Sequence, residues 1–449
     1  MINSQKFWKR ITPAQTLLMG FILMIVTGTF LLSLPIATSG NVTQSFVDVL
    51  FTSTSAVTTT GLIVADTGKF YSLFGQTVIL VLIQICGLGY MIFIALIILG
   101  VGGRISFNSR MLLNESLARP SSIDMLKFVK VVIVFTFIIE LIGAALLAFH
   151  WTNIFPLKEA IYYGIFHSIS AFCTAGFSLF STSFSAYRTN IAINLIVNIV
   201  CIAGAIGFFV LYDIYASGKK AIVTKRMPIL TVHSKFVLLM SVMLMFLGAV
   251  IIFVSQTKVN PSPAGEVLLN SVFQSISAST TTGFNTVDIG AMKSSSLFAI
   301  ILLMFVGASP GGTGAGIKTV SFGIILIFLF SLLTGKENIN LFKRRISSQV
   351  VNKVFAISAI AVLWVVLATG ILVFTEKAAF LNVLFEVVSA LGNVGLSMGI
   401  TSSLSDVGKI VLSITMLVGR MGPLAIGFSL VGKPKPARFK YSEADVLVG

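Results

Sequence analysis

Four windows of this sequence can be laid over one another without a gap. They are "FTSTSAVTTTGL" from Phe51, "FHSISAFCTAGF" from Phe166, "FQSISASTTTGF" from Phe273 and "FEVVSALGNVGL" from Phe385. In each, a phenylalanine stands ten positions before a glycine, Ser-Ala stands six and five before it, and Leu or Phe follows it. Small residues alone would suggest close helix packing. Four such windows in register instead predict one supersecondary unit built four times around a shared centre.

What lies between the windows is apolar. Of 449 residues, 56% are hydrophobic and 10% charged, and the mean hydropathy is +1.00. A soluble chain could not hide that much apolar surface, so the solvent is lipid. Each window is flanked by segments long enough to cross a ~30 Å hydrocarbon core. First spans are expected near residues 16–35, 126–149, 235–255 and 353–375, and second spans near 77–101, 191–215, 296–333 and 407–431. The expectation is an all-α polytopic membrane protein with eight crossings and a short re-entrant helix in each unit. The units are 1–110, 111–225, 226–345 and 346–432, followed by a C-terminal tail, 433–449. The basic opening "MINSQKFWKRITPAQ" precedes a long apolar run without a small-residue cleavage site, which reads as a retained span rather than a signal peptide.

A formal net charge of +16 could suggest nucleic acid. The distribution argues against that. Basic residues gather at the N-terminus, at Arg104, Arg110, Arg119, Lys127 and Lys130, at Lys219, Lys220, Lys225, Arg226 and Lys235, at Lys336, Lys343, Arg344, Arg345 and Lys353, and at Lys433, Lys435, Arg438 and Lys440. These clusters alternate with pairs of spans, and the positive-inside rule assigns them, with both termini, to the cytoplasmic side of the cell membrane. Cys86, Cys173 and Cys201 are too far apart for a metal knuckle and read as small buried residues. His150, His167 and His233 are scattered, and His167 reads as packed and hydrogen-bonded rather than as a ligand.

Each repeated segment is too short to span and carries polar groups, so it should enter and turn back. Irregular backbone at membrane depth is tolerated only where it is buried in protein or lines a wet path. Backbone carbonyls can replace the hydration shell of a cation without a fixed charge that would trap it, and glycine gives the backbone that freedom. The residues before the four glycines, "TTT", "CTA", "TTT" and "GNV", are neutral. That lining suits a monovalent cation such as K⁺, since a divalent ion usually calls for carboxylates.

The sixth span is interrupted by "GASPGGTGAGIK", Gly307 to Lys318. One proline and five glycines cannot sustain a helix, which predicts two half-helices joined by an irregular loop. A kink that merely lets helices cross is the plainer alternative. The stretch also imitates a phosphate-binding loop through Gly311, Gly316, Lys318 and Thr319. Ile317 separates the second glycine from Lys318 and no strand precedes it, which argues against ATP binding by this chain. Arg420 falls inside the last span, where a central charge costs ~2.5 to 3.5 kcal/mol on the mildest scale, so it should face a cavity or a partner. Glu140 and Glu386 are comparable and read as structural, Glu386 as a bonding partner for a neighbouring loop's amides.

These features carry a resemblance. The four single-glycine loops, "SALGNVGLS" in the last, "GIKT" after the glycine-rich break and "GRMGPL" in the eighth span resemble the Trk/Ktr/HKT family of K⁺ transporters, and within it the membrane subunit of bacterial Ktr systems. The likeness runs from about residue 12 to the terminal "YSEADVLVG". It implies four M1, pore-loop, M2 repeats around one central pore that passes K⁺ inward. It further implies a selectivity filter of Thr58, Thr59, Thr60 and Gly61, of Cys173, Thr174, Ala175 and Gly176, of Thr280, Thr281, Thr282 and Gly283, and of Gly392, Asn393, Val394 and Gly395. Gly61, where sodium-favouring relatives carry serine, implies K⁺. The second loop departs from the asparagine-rich version expected there, at Cys173 and Thr174.

The same resemblance implies a gate below the filter, formed by Gly307, Ala308, Ser309, Pro310, Gly311, Gly312, Thr313, Gly314, Ala315, Gly316 and Lys318, with Arg420 as an electrostatic barrier; a purely structural Arg420 bonded to loop carbonyls is the alternative. A homodimer resting on a cytosolic ring of nucleotide-binding (RCK-type) regulatory subunits is the implied assembly. ATP or ADP is then expected only on that partner, and this chain carries no cofactor of its own. Two rival readings are a secondary transporter for another cation or small solute and an intramembrane enzyme. The first would show inverted repeats and intramembrane carboxylates. The second needs a nucleophile or metal cluster that the sequence does not offer, so a non-enzyme is expected.

Overall fold

A computed structural model describes residues 13–41, 44–89, 125–225, 227–257, 263–336 and 338–422. The N-terminal basic cluster, Arg104, Arg110, Arg119, Arg226 and the tail from 433 lie outside the described residues, as do the expected ends of the second and eighth spans. Nearly all of the described secondary structure is helical; a two-residue hairpin, Asn340–Leu341 with Arg344–Arg345, is the exception.

Four units follow one another in the same order: a long helix, a short helix, an extended loop and a further helix. The long helices are α1 (Pro13–Leu32), α4 (Met125–Trp151), α8 (Val232–Thr257) and α12 (Ser348–Thr375). Among the described residues these four are long and apolar enough to cross a membrane unaided, and a bent pair raises the number to five. Their outward faces expose side chains such as Phe30, Leu141, Phe149 and Phe374, as expected of helices solvated by lipid.

The short helices are α2 (Phe46–Val57), α5 (Leu157–Phe172), α9 (Ala264–Ser279) and α13 (Phe380–Gly392). Each packs on the long helix of its own unit. The serine two positions after the repeated phenylalanine explains part of that packing. Ser53, Ser168 and Ser275 donate to the carbonyls of Ile25 at 2.8 Å, Glu140 at 2.7 Å and Met245 at 2.6 Å. Gly28, Gly143 and Gly248 provide the room for this approach, since a Cβ at any of them would collide with the same serine hydroxyl. The fourth unit has a buried valine, Val387, at that position.

The closing helices are α3 (Leu73–Gly87), the pair α6 (Ile191–Ala205) and α7 (Phe208–Thr224), the pair α10 (Ser294–Val306) and α11 (Thr319–Leu333), and α14 (Asp406–Met421). Ser72, Asn190 and Ser405 start α3, α6 and α14 by accepting the amides of Gly75, Ile193 and Gly408 at 3.3, 3.1 and 3.1 Å, satisfying backbone donors a helix start leaves free. The closing helices join the units into a ring. The helix α3 packs on α5, α6 on α9, α10 on α13, and α14 returns to α2. Where α14 meets α2, Lys409 Nζ lies 2.6 Å from Asp48 Oδ1.

The interruption expected between Gly307 and Lys318 is present. A second one was not expected: instead of running straight over 191–215, the chain bends by 96° between α6 and α7. Gly207 has φ +100°, a conformation that glycine adopts without a steric penalty. A Cβ there would stand 2.6 Å from the carbonyl oxygen of Pro310. The bend therefore exists where the two interruptions touch.

Candidate functional site

At the C-terminal ends of the four short helices the chain repeats one backbone pattern. Thr59, Thr174, Thr281 and Asn393 are left-handed, with φ of 53°, 49°, 57° and 49°. Two residues on, Gly61, Gly176, Gly283 and Gly395 have φ of 91°, 68°, 86° and 90°. Left-handed backbone in non-glycine residues is costly and persists only when the surroundings enforce it. Here the repeated Ser-Ala does so. The amides of Thr60, Ala175, Thr282 and Val394 donate to the carbonyls of Ser55, Ser170, Ser277 and Ser389 at 2.8 to 2.9 Å, and those of the left-handed residues donate to the following alanines.

The serine hydroxyls finish the loop in two ways. Ser55 and Ser389 accept the amides of Gly61 and Gly395 at 3.0 and 3.1 Å. Ser170 and Ser277 instead donate to the carbonyls of Phe177 and Phe284 at 2.8 and 2.6 Å. The threonine hydroxyls of loops one and three pair with each other, Thr58 with Thr60 at 2.7 Å and Thr280 with Thr282 at 2.8 Å. In the fourth loop Asn393 Nδ2 donates to Thr60 Oγ1 and to the Met416 carbonyl, both at 2.8 Å.

The glycines meet the next loop around the ring. A Cβ on Gly61 would strike the carbonyl oxygen of Ala175, one on Gly176 that of Thr282, one on Gly283 that of Val394, and one on Gly395 that of Thr60. Each carbonyl belongs to the residue just before the next loop's glycine. The chain of contacts returns to its start, so all four loops adjoin one axis, and only glycine fits at that spacing.

Against the inner ends of the short helices lies the irregular segment between α10 and α11. Its own backbone folds back, with Ala308 N donating to the Ala315 carbonyl at 3.0 Å and Thr319 N to Ala308 at 3.1 Å. It is held from α6 through Ser309 N to the Ala205 carbonyl at 3.2 Å and Thr313 N to Gly204 at 3.1 Å, and Phe208 N donates back to Gly311 at 2.9 Å. From the ring it is held through Thr313 Oγ1 to the Phe172 carbonyl at 2.9 Å and through Ala315 N to Thr281 Oγ1 at 3.2 Å. Lys318 Nζ reaches the Gly314 carbonyl at 2.7 Å.

Arg420 joins three units here. One arm of its guanidinium donates to the Thr313 carbonyl, the other to Cys86 at 2.6 Å and Gly87 at 3.1 Å. Arg420 thus bonds carbonyls, as its structural alternative expected, though on α3 as well as on the broken segment. Glu140 accepts from Gln84 Nε2 at 3.0 Å, and Cys173 Sγ lies 3.6 Å from Gln84 Oε1, so the departure in the second loop is backed by a polar pair. Glu386 bonds its own loop, not a neighbouring one: Ser397, Met398 N at 3.3 Å and Thr401 at 3.0 Å. His167 is packed as expected, between Tyr163 O at 2.8 Å and Ser178 Oγ at 3.0 Å, with Phe180 stacked on its ring.

A ring of four backbone loops in a shell of apolar helices, with an irregular segment against its inner side, defines the class of membrane proteins that move small ions. The family model described as TrkH, cation transport protein, matches residues 5–440, and the chain belongs to that family. It is 37% identical to Ktr system potassium uptake protein B of Bacillus subtilis over 447 residues, 98% of each chain. It is 32% identical to the potassium/sodium uptake protein NtpJ of Enterococcus hirae over 457 residues, the full length of both. Among solved structures, the potassium transporter TrkH of Vibrio parahaemolyticus superposes with a TM-score of 0.68 at 23% identity, covering 92% of this chain and 84% of that one. That similarity shows a shared fold.

Proposed function

We propose that this chain is the K⁺-conducting pore subunit of a bacterial potassium uptake system. The observation that carries the reading is the closed succession Gly61–Ala175, Gly176–Thr282, Gly283–Val394, Gly395–Thr60. It brings four neutral, carbonyl-rich loops to one axis, the arrangement that can exchange an ion's hydration shell for backbone oxygens. On this reading each unit is an M1, pore-loop, M2 repeat, and the residues from Thr58, Cys173, Thr280 and Gly392 to the respective glycines form the filter.

The segment Gly307 to Lys318 then serves as the gate. Its contacts to Thr281, Phe172, Ala205 and Arg420 support a plug that closes the inner side of the filter, and Arg420 adds positive charge to the barrier. The basic clusters support a cytoplasmic side for both termini, and an inside-negative membrane potential drives K⁺ inward through such a path. A homodimer on a cytosolic nucleotide-binding ring completes the assembly. The B. subtilis relative is named as part of a system, which supports a partner for this chain also, with ATP or ADP held by that partner.

Growth of a transport-deficient bacterium in K⁺-limited medium, with this chain alone and with a cytosolic subunit, tests the proposal. Rescue that depends on K⁺ uptake is expected, and stronger rescue with the partner. Because the E. hirae relative is named for both ions, the uptake assay is run with K⁺ and Na⁺; uptake of neither would reject the reading.

A further inference from the structure

The position directly after the repeated phenylalanine is held by Thr52, His167, Gln274 and Glu386, all buried. In units two and four this side chain fastens the short helix to the chain that leaves the loop, His167 through Ser178 at 3.0 Å and Glu386 through Met398 N at 3.3 Å. Thr52 turns back to the carbonyl of Asp48 on its own helix at 3.0 Å. Gln274 does neither. It is fully buried, and neither its amide nitrogen nor its oxygen has a partner among the described residues.

Gln274 faces a cavity of about 420 Å³. Asn270 Oδ1 and Thr286 Oγ1, buried and likewise without a protein partner, line the same cavity, together with Glu266 and Asp288. Arg188 stands at its rim, half-exposed, with Nε 3.0 Å from Glu266 Oε1. The polar wall thus carries the Glu266 and Asp288 carboxylates beside the carboxamides of Gln256, Asn270 and Gln274 and the Thr286 hydroxyl, with Arg188 as its cation. Two carboxylates among carboxamide and hydroxyl oxygens suit a hard cation that keeps its water. The space exceeds that of a bare ion, a single water occupying about 30 Å³ of liquid, and water around the ion would meet the Gln274 Nε2 donor.

We infer that this cavity binds a hydrated divalent cation of the Mg²⁺ class, held mainly through the Glu266 and Asp288 carboxylates, and that Arg188 competes with it for Glu266. Mg²⁺ keeps several of its waters and is commonly held by one or two carboxylates, which matches the roomy cavity. The lining includes Asn270, Ser271 and Gln274 of the third short helix and none of the four loop glycines. With the ion bound, Gln274 gains through water the tether that His167 and Glu386 make directly.

The test is an electron paramagnetic resonance titration of the purified full-length chain in nanodiscs, without any cytosolic subunit, using Mn²⁺ as probe and Mg²⁺ as competitor. Saturable Mn²⁺ binding, displaced by Mg²⁺, is expected. Asp288→Asn should weaken it by about tenfold or more, in the range seen when groups around a metal are removed. Arg188→Ala should tighten it, which a merely structural ion pair would not do. If Asp288→Asn does not fold, as judged by gel filtration, Glu266→Gln is read in its place. No saturable binding, binding indifferent to the carboxylate variant, or weaker binding in Arg188→Ala would each overturn the assignment. The readout involves no K⁺ flux, so a failure of the pore reading and a failure of this site are distinguishable.

Discussion

The hydroxyl of Thr174 lies 3.3 Å from the hydroxyl of Thr313. Thr174 belongs to the ring of loops and Thr313 to the broken segment, so the two layers of the site touch through side chains. Thr313 is also bonded to Phe172 by its hydroxyl, to Gly204 by its amide and to Arg420 by its carbonyl. Units two, three and four thus meet at one residue.

Deleting Gly311 to Gly314 removes that meeting point. K⁺ uptake into proteoliposomes should rise, and its dependence on the cytosolic partner should loosen. A transporter that is silent or unchanged would count against a gating role for the segment.

Arg420→Gln removes the charge and at least one of the donors to Thr313, Cys86 and Gly87. Hydrogen bonds from a charged group are worth about 1.5–3 kcal/mol each, so the segment should loosen and basal K⁺ flux increase several-fold. Arg420→Lys keeps the charge but cannot fork to both sides, and its flux should fall between the two. Equal flux in all three forms would remove Arg420 from the barrier.

Gly283→Ser puts a side chain on a residue at φ +86° whose Cβ would collide with the Val394 carbonyl. Left-handed backbone costs a non-glycine residue roughly 1–2 kcal/mol, and the displaced carbonyl should lower K⁺ over Na⁺ discrimination by about tenfold, the equivalent of ~1.4 kcal/mol. Competitive uptake of the two ions measures this, and unchanged selectivity would sink the filter assignment.

Lys409→Met leaves Asp48 without its counter-ion where the fourth unit closes on the first. The pair is largely shielded, with side-chain exposures of 11% and 24%, and loss of one partner should cost about 2 kcal/mol after allowance for residual solvent. Thermal melting in detergent should fall for Lys409→Met and for Asp48→Leu, and recover in the double variant. Additive losses would show that the two residues are not coupled.

Gly207→Ala strains the bend between α6 and α7, since φ is +100° and Pro310 O stands in the way. A cost of about 1–3 kcal/mol is expected, read as a lower melting temperature. Gly218→Ala on α7 meets nothing within 4 Å and should be neutral or stabilising by up to ~1 kcal/mol. Equal melting shifts in the two would place the bend's cause elsewhere.

The repeat was legible because its chemistry is local. Ser-Ala recurs since its carbonyls hold the residues that follow, and glycine recurs since each approaches a neighbour's carbonyl. The break at Gly307 to Lys318 was legible from proline and glycine alone. The bend at Gly207 was not, because "AGAIGFF" is apolar and lacks proline, and the carbonyls of Gly204 and Ala205 are drawn out of the helix by amides of Thr313 and Ser309. That Arg420 would bond carbonyls was open to expectation, but which ones was hidden for the same reason: a carbonyl belongs to every residue and leaves no mark in composition. The hydroxyls of Thr58 and Thr60, and of Thr280 and Thr282, pair within their own loops, a local bond the neutral "TTT" did not announce.

The four loops belong to a single polypeptide, and their successive contacts close without a subunit boundary. A ring of identical chains would repeat any alteration four times, so it could not carry an obstruction under one wall alone. Among the described residues the third unit supplies the broken segment and the second the bend that receives it, while the fourth contributes the arginine. Unequal quarters within one gene let a segment of one unit be held by bonds from two others.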